Sequence, residues 1–295
     1  MQVYIDGQFL PQEEAKISVF DHGFLYGDGV FEGIRAYEGR VFKLEEHIER
    51  LYESAHHLML QIPLTREEIL ENTLEVLRRN ELRDAYIRTV VSRGRGDLGL
   101  DPKKCSQATV VIIADHISLF PREYYEQGLS IVTATTRQRG ADTQEPRIKS
   151  LNYLNNILIK MEASQAGAME AVVLNARGYV VEGSGSNIFI VNKKGELVTP
   201  PAYLGILEGI TRNVVIELAM EEDLVVREQP FTRHDLYIAR ECFLTGTAAE
   251  LIPVVSVDRR QIGNGSPGPQ TRLLMQKFQQ YARRQGVPVY PQEEK

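Results

Sequence analysis

The sequence has few cysteines, no long apolar run and no surplus of positive charge. Its two cysteines, Cys105 and Cys242, are too few for a disulfide framework, and they lack a CxxC spacing. A reducing compartment is therefore expected. No apolar segment approaches the roughly 18 residues of a membrane helix, and the opening MQVYIDGQF has no leader character. Together these absences predict a cytoplasmic protein without a membrane segment.

The charge balance excludes a further class of protein. Lysine and arginine number 34 against 40 aspartate and glutamate residues, a net charge of −6, so an electrostatic nucleic-acid binder is not expected. A composition of 43% hydrophobic and 25% charged residues, with 23 Gly and 13 Pro, is close to the globular average and excludes disorder, collagen and coiled coil. The length of 295 residues favours two domains. No metal site is expected, and small-molecule chemistry is favoured.

The first third of the chain predicts strands and two helices. The segments VYIDGQFL and VFEGIRAY with EGRVFKL are typical of strand pairs that turn at Gly7 and Gly39. In TREE, Thr65 and Glu68 form a capping box that opens a helix. The helix before it is predicted from apolar residues at steps of four and three, namely Leu44, Ile48, Leu51, Ala55 and Leu58.

The remainder predicts an α+β domain of barrel character. Strand candidates such as NIFIVN and ECFLTG alternate with helices near 151–166, 211–222 and 270–284, and the turns NARG and NKKG disfavour a doubly wound sheet. The segment HISLFPREYYEQG mixes Pro, Gly and charge without a period, and is interpreted as an interdomain loop. The predicted domains are 1–117 and 129–295, joined by a loop at 118–128.

Lys149 is the first candidate for chemistry. It precedes a predicted helix with an apolar face of Leu151, Leu154, Leu158 and Met161. A cation near a helix N-terminus is disfavoured by roughly 0.3 to 1 kcal/mol. That field favours the neutral amine that a Schiff-base lysine needs. The alternative is an ordinary solvated lysine.

Glu182 and the GSGSN segment after it form a second candidate. Glu182 ends an apolar run typical of a strand, where a buried carboxylate is costly without a partner such as a protonated ring nitrogen. The glycines and serines that follow are either a phosphate cradle or only a turn.

Two more segments offer backbone amides to an anion. In LEGITRNVVIELA, Gly209 leads into a helix, so the amides of Ile210 and Thr211 should project from its start, unless Thr211 is an ordinary N-cap. In FLTGTAAE, Thr247 and Ala248 follow a buried strand and could bind a carboxylate or phosphate. Pyridoxal 5′-phosphate, with its phosphate, ring nitrogen and lysine-reactive aldehyde, accounts for these pieces together.

Six motifs resemble one family in the same order. FDHGFLYGDGVFEGIRAY, EHIERL, IKSLNYLNNIL, EGSGSNIF, GITRNVVIELA and FLTGTAAEL closely resemble the class IV aminotransferases of fold type IV, specifically the branched-chain amino-acid aminotransferases. The resemblance implies two domains with an α+β fold: a small α/β N-terminal domain and a larger pseudo-barrel C-terminal domain, with pyridoxal 5′-phosphate at their junction.

The resemblance also implies roles for the cofactor residues. Lys149 would bind the cofactor covalently and move the proton at the substrate Cα. Glu182 would keep the pyridine nitrogen protonated, and Tyr153 would hydrogen-bond the ring hydroxyl. The phosphate would be held by Arg50, Ile210, Thr211 and Thr247.

Substrate residues are implied in the same way. Transamination alternates an aliphatic amino acid with glutamate in one pocket, so an arginine must pair with the γ-carboxylate. The residues implied for that carboxylate are Arg35, Arg88 and Tyr26. Those implied for the α-carboxylate are Tyr86 and the amides of Thr247 and Ala248. The aliphatic part would be lined by Phe31, Gly33 and Leu100, the last from a neighbouring subunit of a homodimer or larger homo-oligomer.

The implied activity is amino transfer from L-leucine, L-isoleucine or L-valine to 2-oxoglutarate, and two alternatives stay open. A D-amino-acid or (R)-amine transaminase of this fold would use an arginine and a histidine after the AYIR strand; SRGRGDLGLDP has no histidine, but it contains Arg93 and Arg95. The second alternative is a non-catalytic nucleotide-binding or phosphate-binding module built on GSGSN and the GIT helix start. The aromatic residue over the substrate would be Phe120, Tyr124 or Tyr125.

Overall fold

The computed structural model describes residues 1–117 and 120–290, which divide into two compact units. The first unit contains Met1–Ile117, Ile148–Asn152 and the residues from Ala282 to Tyr290. The second contains the residues from Phe120 to Arg147 and Tyr153–Tyr281. Each unit is therefore built from segments that are discontinuous in sequence.

The predicted domain limits, 1–117 and 129–295 with a loop at 118–128, stay a prediction. The first two residues of the predicted loop, 118 and 119, lie outside the described residues, as does the tail at 291–295. The rest of that loop segment contains a helix at Arg122–Gln127. Within the described ranges, no helix has the length and apolarity that a bilayer crossing requires.

Helices and strands are numbered along the chain. The helices are α1 (His22–Tyr26), α2 (Leu44–His57), α3 (Arg66–Arg79), α4 (Arg122–Gln127), α5 (Leu154–Gln165), α6 (Ile210–Glu221), α7 (Arg233–Tyr237) and α8 (Pro269–Arg284). The strands are β1 (Gln2–Ile5), β2 (Gln8–Pro11), β3 (Gly29–Tyr37), β4 (Arg40–Val41), β5 (Ala85–Ser92), β6 (Thr109–Asp115), β7 (Leu129–Thr133), β8 (Ala171–Leu174), β9 (Val180–Gly183), β10 (Asn187–Val191), β11 (Leu197–Thr199), β12 (Val226–Glu228), β13 (Glu241–Gly246), β14 (Glu250–Val257), β15 (Arg260–Gln261) and β16 (Val287–Pro288).

The first unit is an antiparallel sheet against which α2 and α3 pack. Its strand order is β16-β4-β3-β5-β6-β1-β2. Side chains alternate between the two faces of a strand, and Val30, Ile34 and Ala36 of β3 join the helices in one buried core. The intervening residues of β3 therefore point to the opposite face of the sheet.

In this unit, the predictions that depend on residues close together in sequence are confirmed. Gly7 and Gly39 turn the strand pairs at φ +89° and +83°, a conformation that residues with a Cβ rarely adopt. Thr65 and Glu68 make both hydrogen bonds of the capping box. The predicted inward face of α2 is buried at Leu44, Ile48, Leu51 and Ala55, with Leu58 packed at its edge.

The second unit contains a closed ring of strands. Strand β10 pairs with both β9 and β13, so β10, β13, β14, β7, β8 and β9 return to their starting point. Strands β11 and β12 extend from β10, and β15 pairs with β14. The predicted barrel character is confirmed, and closure removes exposed sheet edges from the ring.

The predicted apolar face of α5 does not pack into the unit. The helix begins at Leu154, so Leu151 lies before it. The exposed fractions of Leu154, Leu158 and Met161 are 67%, 43% and 50%. Ile159 and Ala163 are buried instead, in a cluster with residues of β8 and β9. The periodicity predicted the helix correctly. The helix has two apolar stripes, however, and the barrel packs against the one that contains Ile159 and the small Ala163.

Candidate active site

Two cations converge on one aromatic ring in the first unit. The Nζ atom of Lys149 lies 4.6 Å from the centroid of the Phe31 ring, and the Cζ atom of Arg88 lies 4.5 Å from it. The negative face of an aromatic ring attracts cations at such distances. An amine and a guanidinium are thereby held beside the same apolar surface.

Lys149 is positioned by its backbone. The Phe31 N–H donates to the Lys149 carbonyl oxygen at 3.0 Å, and the Lys149 N–H donates to Ser54 Oγ at 3.2 Å. Val30 and Ser150 form an isolated bridge next to it. The segment thus runs beside β3 like an added strand. The expectation that a helix start sets the environment of Lys149 is wrong, because α5 begins only at Leu154.

Gly33 makes room for a tyrosine on the same sheet face. A Cβ atom on Gly33 would lie 2.1 Å from Tyr86 Oη, so the phenol crosses β3 at this residue. Arg88 Nη2 donates to Tyr86 Oη at 3.0 Å. Arg35 pairs with Tyr86 in the register of β3 and β5. Five of the predicted substrate residues therefore share one face: Phe31, Gly33, Arg35, Tyr86 and Arg88.

Tyr26 on α1 contacts the loop that carries Leu100. Tyr26 Oη donates to the Leu98 carbonyl oxygen at 2.7 Å, and His22 Nε2 lies 2.8 Å from the Asp97 carbonyl oxygen. These contacts tie α1 to the loop after β5. Leu100 on that loop is 78% exposed, so it does not pack into the core of this unit.

Arg50 is held by a carboxylate that the sequence analysis did not identify. Arg50 Nε and Nη2 donate to the two oxygens of Glu32 at 2.7 and 2.8 Å. His47 Nδ1 lies 2.7 Å from Glu32 Oε2. Burial by itself would raise the pKa of Glu32, but the charges and hydrogen bonds of Arg50 and His47 hold it far below its ordinary value. The available signal was an acidic residue inside the apolar strand GVFEGIRAY.

Glu182 is buried in the second unit with hydrogen-bond partners on both oxygens. Gln138 Nε2 donates to Oε1, and the Leu207 N–H donates to Oε2 at 3.1 Å. Burial lowers the pKa of Arg139, and the nearby Tyr153 and Glu182 oppose that effect. Gln138 and Arg139 were not identified from the sequence. A carboxylate offers about four lone-pair sites, so Glu182 can accept a further N–H.

The start of α6 offers uncapped amides. Its N-cap is Gly209, which has no side chain, and Thr211 lies in the first turn, so the interpretation of Thr211 as an N-cap is wrong. A Cβ atom on Gly209 would lie 2.1 Å from Asn187 Oδ1, so any other residue would displace the Asn187 side chain. Asn187 in turn pairs with Glu182 and with Thr245 in the barrel. First-turn amides without a capping side chain are suited to bind an anion.

Two buried hydroxyls lie at the same end of the barrel. Ser186 Oγ and Thr245 Oγ1 have no hydrogen-bond partner among the described residues. A Cβ atom added to Gly185 would meet no atom within 4 Å, and Gly246 approaches the Gly185 carbonyl oxygen. An unsatisfied buried hydroxyl costs roughly 1 to 3 kcal/mol, which a ligand can recover by hydrogen-bonding to it.

The turn after β13 carries Thr247 and Ala248. Among the three aromatic residues predicted to cover the substrate, Tyr125 reaches this turn, because its Oη donates to the Ala249 carbonyl oxygen at 3.1 Å. Phe120 is buried in the core of the second unit, and Tyr124 packs against that core.

The residues of the second unit fit a pyridine that carries a phosphate. Uncapped helix amides and an unsatisfied serine hydroxyl are donors for a phosphate, and a buried carboxylate is the acceptor that a protonated ring nitrogen needs. In the first unit, Lys149 supplies the amine that reacts with an aldehyde.

Comparisons with known proteins agree with this chemistry. The family model for amino-transferase class IV matches residues 29–257. A Methanocaldococcus jannaschii protein assigned as a branched-chain-amino-acid aminotransferase is 54% identical over 290 residues, covering 98% of this chain and 99% of that protein.

Solved structures show the same likeness. The branched-chain amino acid aminotransferase of Escherichia coli superposes with a TM-score of 0.95 at 35% identity, covering 98% of this chain and 99% of that one. The enzyme of that name from T.th., in complex with N-(5′-phosphopyridoxyl)-L-glutamate, gives 0.90 at 40% identity, covering 96% and 94%. This chain therefore belongs to the class IV aminotransferases, in the group of the branched-chain-amino-acid aminotransferases.

Proposed function

We propose that this chain is a pyridoxal-phosphate-dependent transaminase that moves the amino group of L-leucine, L-isoleucine or L-valine to 2-oxoglutarate. The products are the branched 2-oxo acids and L-glutamate. The observation that carries the proposal is the convergence of Lys149 and Arg88 on the Phe31 ring, which sets a nucleophilic amine next to a carboxylate-binding guanidinium. The named ligand of the T.th. relative, a phosphopyridoxyl group joined to glutamate, supports the choice of cofactor.

Lys149 performs the proton transfer in this proposal. When bound, pyridoxal 5′-phosphate supplies an electron sink that makes removal of the Cα proton accessible. The Lys149 amine would hold the cofactor through its aldehyde; once the substrate amine has displaced it, the freed amine would be placed to carry the proton that leaves the substrate Cα. A positioned acid and base contributes about 10² to 10⁴ in rate. Phe31 keeps water away from one side of the amine.

The other cofactor residues hold charge in place. Glu182 accepts the ring N–H and so keeps that nitrogen protonated, and Tyr153 hydrogen-bonds the ring hydroxyl. Four residues bind the phosphate: Arg50, Ile210, Thr211 and Thr247. The buried position of Glu182 strengthens its hold on the ring proton, because the interaction is little screened by water.

Substrate carboxylates are bound by polar residues on the sheet face that carries Arg35, Tyr86 and Arg88, and by residues of the turn after β13. Arg35, Arg88 and Tyr26 bind the γ-carboxylate of glutamate. Tyr86 and the amides of Thr247 and Ala248 bind the α-carboxylate. Phe31 and Gly33, with Leu100 supplied by a neighbouring subunit, contact the aliphatic side chain. One methylene in such a pocket is worth about 1 to 3 kcal/mol, so modest preferences among the three amino acids are expected.

The decisive experiment compares absorbance spectra before and after L-leucine is added. We expect a visible band from lysine-bound cofactor that shifts with leucine, and a Lys149→Ala variant that lacks both band and shift. Lys193→Ala, at an exposed lysine, is the matched control and should behave like the unmodified chain. A Lys149→Ala protein that keeps the band and the leucine response would overturn the assignment.

The stereochemistry of the product separates this proposal from a D-amino-acid transaminase. Arg93 is engaged within the first unit, because its guanidinium donates to Asp28 and to the carbonyl oxygens of Leu58 and Met59. These hydrogen bonds fix the loop that carries Arg93, so Arg93 serves this loop rather than a substrate carboxylate. We expect L-leucine from 4-methyl-2-oxopentanoate and glutamate. Exclusive formation of the D-enantiomer would contradict the proposal.

We further propose a homodimer or larger homo-oligomer in the cytoplasm. Leu98 and Leu100 on one loop, and Leu154 and Met161 on α5, are apolar residues left exposed within their own units. Such patches mark association surfaces. Both cysteines are free, as in a reducing compartment. Size-exclusion chromatography with light scattering should show no active monomer.

A further inference from the structure

We propose that Glu32 is a positioning residue for the cofactor phosphate: its buried carboxylate, braced by His47, holds the Arg50 guanidinium in the orientation that binds the phosphate. The inference rests on the proposed function, since it concerns the phosphate end of pyridoxal 5′-phosphate. It assigns a role to two residues, Glu32 and His47, that do not themselves contact the cofactor.

Glu32 occupies a position where the fold would accept an apolar side chain. It lies between Val30 and Ile34 on the side of β3 that packs against α2, and it is 0% exposed. Taking a carboxylate out of water costs several kcal/mol, and replacing a buried ion pair by apolar residues is often neutral or stabilising. The ion pair therefore explains the fixed orientation of Arg50 better than it explains the stability of the fold.

The geometry at Arg50 fixes the plane of its guanidinium. Nε and Nη2 each donate to a different oxygen of Glu32, so the planar fork is held at two points and cannot rotate. The Nη1 edge consequently points away from Glu32 in a defined direction. The Arg50 side chain keeps 12% of its surface exposed, whereas Glu32 keeps 1%. The guanidinium can thus be reached by a ligand from the side opposite the carboxylate.

His47 holds the carboxylate from a second direction. Its Nδ1 faces Glu32 Oε2, which is an acceptor, so this nitrogen carries the proton. His47, Arg50 and Ser54 recur at steps of three and four on α2, and Ser54 accepts the Lys149 N–H. One face of α2 therefore orients the phosphate-binding arginine and anchors the backbone of the reactive lysine. A misoriented Arg50 would weaken phosphate binding without changing the amine.

The test compares a cofactor with and without its phosphate. Full-length protein freed of cofactor is titrated with pyridoxal 5′-phosphate and, separately, with pyridoxal, and binding is followed by absorbance and tyrosine fluorescence. For Glu32→Gln we expect about ten- to a hundredfold weaker binding of pyridoxal 5′-phosphate, the range typical of residues that orient a ligand contact, and a change of less than about twofold for pyridoxal.

A matched control is available on the same helix. Glu49 is an exposed carboxylate paired with Arg66, so Glu49→Gln makes the same chemical change without touching Arg50. It should alter neither affinity. In an Arg50→Ala background, Glu32→Gln should cause no further loss of affinity, because its effect is transmitted through that arginine.

Each remaining outcome has a defined meaning. Equal weakening of both compounds by Glu32→Gln, or an undiminished effect in the Arg50→Ala background, would overturn the inference. If Glu32→Gln does not fold, His47→Leu is judged by the same criterion, with a phosphate-specific loss of about threefold or more expected. Failure of the unmodified protein to bind either compound would instead overturn the proposed function.

Discussion

The Glu32 carboxylate of the first unit and two buried hydroxyls of the second unit differ in whether they have hydrogen-bond partners. In the first unit, the Glu32 carboxylate is satisfied on both oxygens by Arg50 and His47. In the second, Ser186 Oγ and Thr245 Oγ1 are buried without a partner among the described residues, and α6 starts without a side-chain cap. A buried carboxylate whose hydrogen-bond partners come from the chain itself is already satisfied in the folded protein, and it holds the partner side chain rigid. An unsatisfied donor is a cost to the folded chain that a bound ligand can remove.

The comparison separates residues that support a site from residues that receive a ligand. Residues of the first kind should matter for stability whether or not a ligand is present. Those of the second kind should matter only when a ligand is present. Substitutions in each unit test whether this distinction holds.

The largest effect is expected at Glu182, the satisfied carboxylate of the second unit. Glu182→Gln keeps the shape but cannot hold a proton on a ring nitrogen, so kcat should fall about 10²- to 10³-fold, the scale of losing one preorganised electrostatic contact. Steady-state kinetics with L-leucine checks this. Glu217→Gln, at an exposed glutamate of α6, should leave kcat unchanged. A kcat for Glu182→Gln within twofold of the parent would remove Glu182 from the mechanism.

The next effect concerns acid stability and the first unit. Because the pKa of Glu32 in the folded state lies far below its ordinary value of 4.5, its ionised form stabilises the fold above about pH 4.5 and loses that contribution as the pH falls further. Glu32→Gln should lower the urea midpoint of the cofactor-free protein strongly at pH 7, since breaking a buried pair costs about 3 to 5 kcal/mol. The gap between the two proteins should stay constant to about pH 5 and narrow below 4.5. A gap that widens with acid would refute the assignment.

Gly33→Ala tests the close approach of the Tyr86 side chain to the backbone of β3 at Gly33. The new Cβ atom would lie 2.1 Å from Tyr86 Oη and displace that tyrosine, so KM for L-leucine should rise about tenfold and the melting temperature should fall. Gly185→Ala in the second unit adds a Cβ atom with no neighbour within 4 Å, and its melting temperature should match that of the parent. Adding Tyr86→Phe to Gly33→Ala should recover part of the lost stability. Equal melting temperatures for Gly33→Ala and the parent would show that Tyr86 moves freely.

The smallest effect is expected for Ser186→Ala. Removing an unsatisfied buried hydroxyl should leave the cofactor-free protein as stable as before, or slightly more stable. The affinity for pyridoxal 5′-phosphate should fall about threefold to tenfold, since one hydrogen bond to the ligand is lost. Differential scanning fluorimetry with and without cofactor measures both, and Ser266→Ala, at a serine in the loop before α8, is the control. Destabilisation of the cofactor-free protein would show that Ser186 belongs to the scaffold.

Local features were predictable because they depend on neighbours in sequence. The capping box of Thr65 and Glu68, the turns at Gly7 and Gly39, and the amides at the start of α6 need only a few consecutive residues. The family resemblance, carried by ordered motifs, added Lys149 and Glu182 as candidates. The exposed stripe of α5 could not be predicted, because both stripes of that helix are apolar and contact with the barrel selects one.

The sequence was enough to predict the barrel character of the second unit and the residue types able to bind a phosphate, a carboxylate and an aldehyde. How these residues are held follows from packing between elements that are distant in sequence. Lys149 is anchored by β3 and α2 rather than by the helix after it, and Glu32 lies among apolar residues beside an arginine on another element. The reason is physical: the free energy of a buried charge depends on groups distant in sequence, which become neighbours only when the sheet and helices pack.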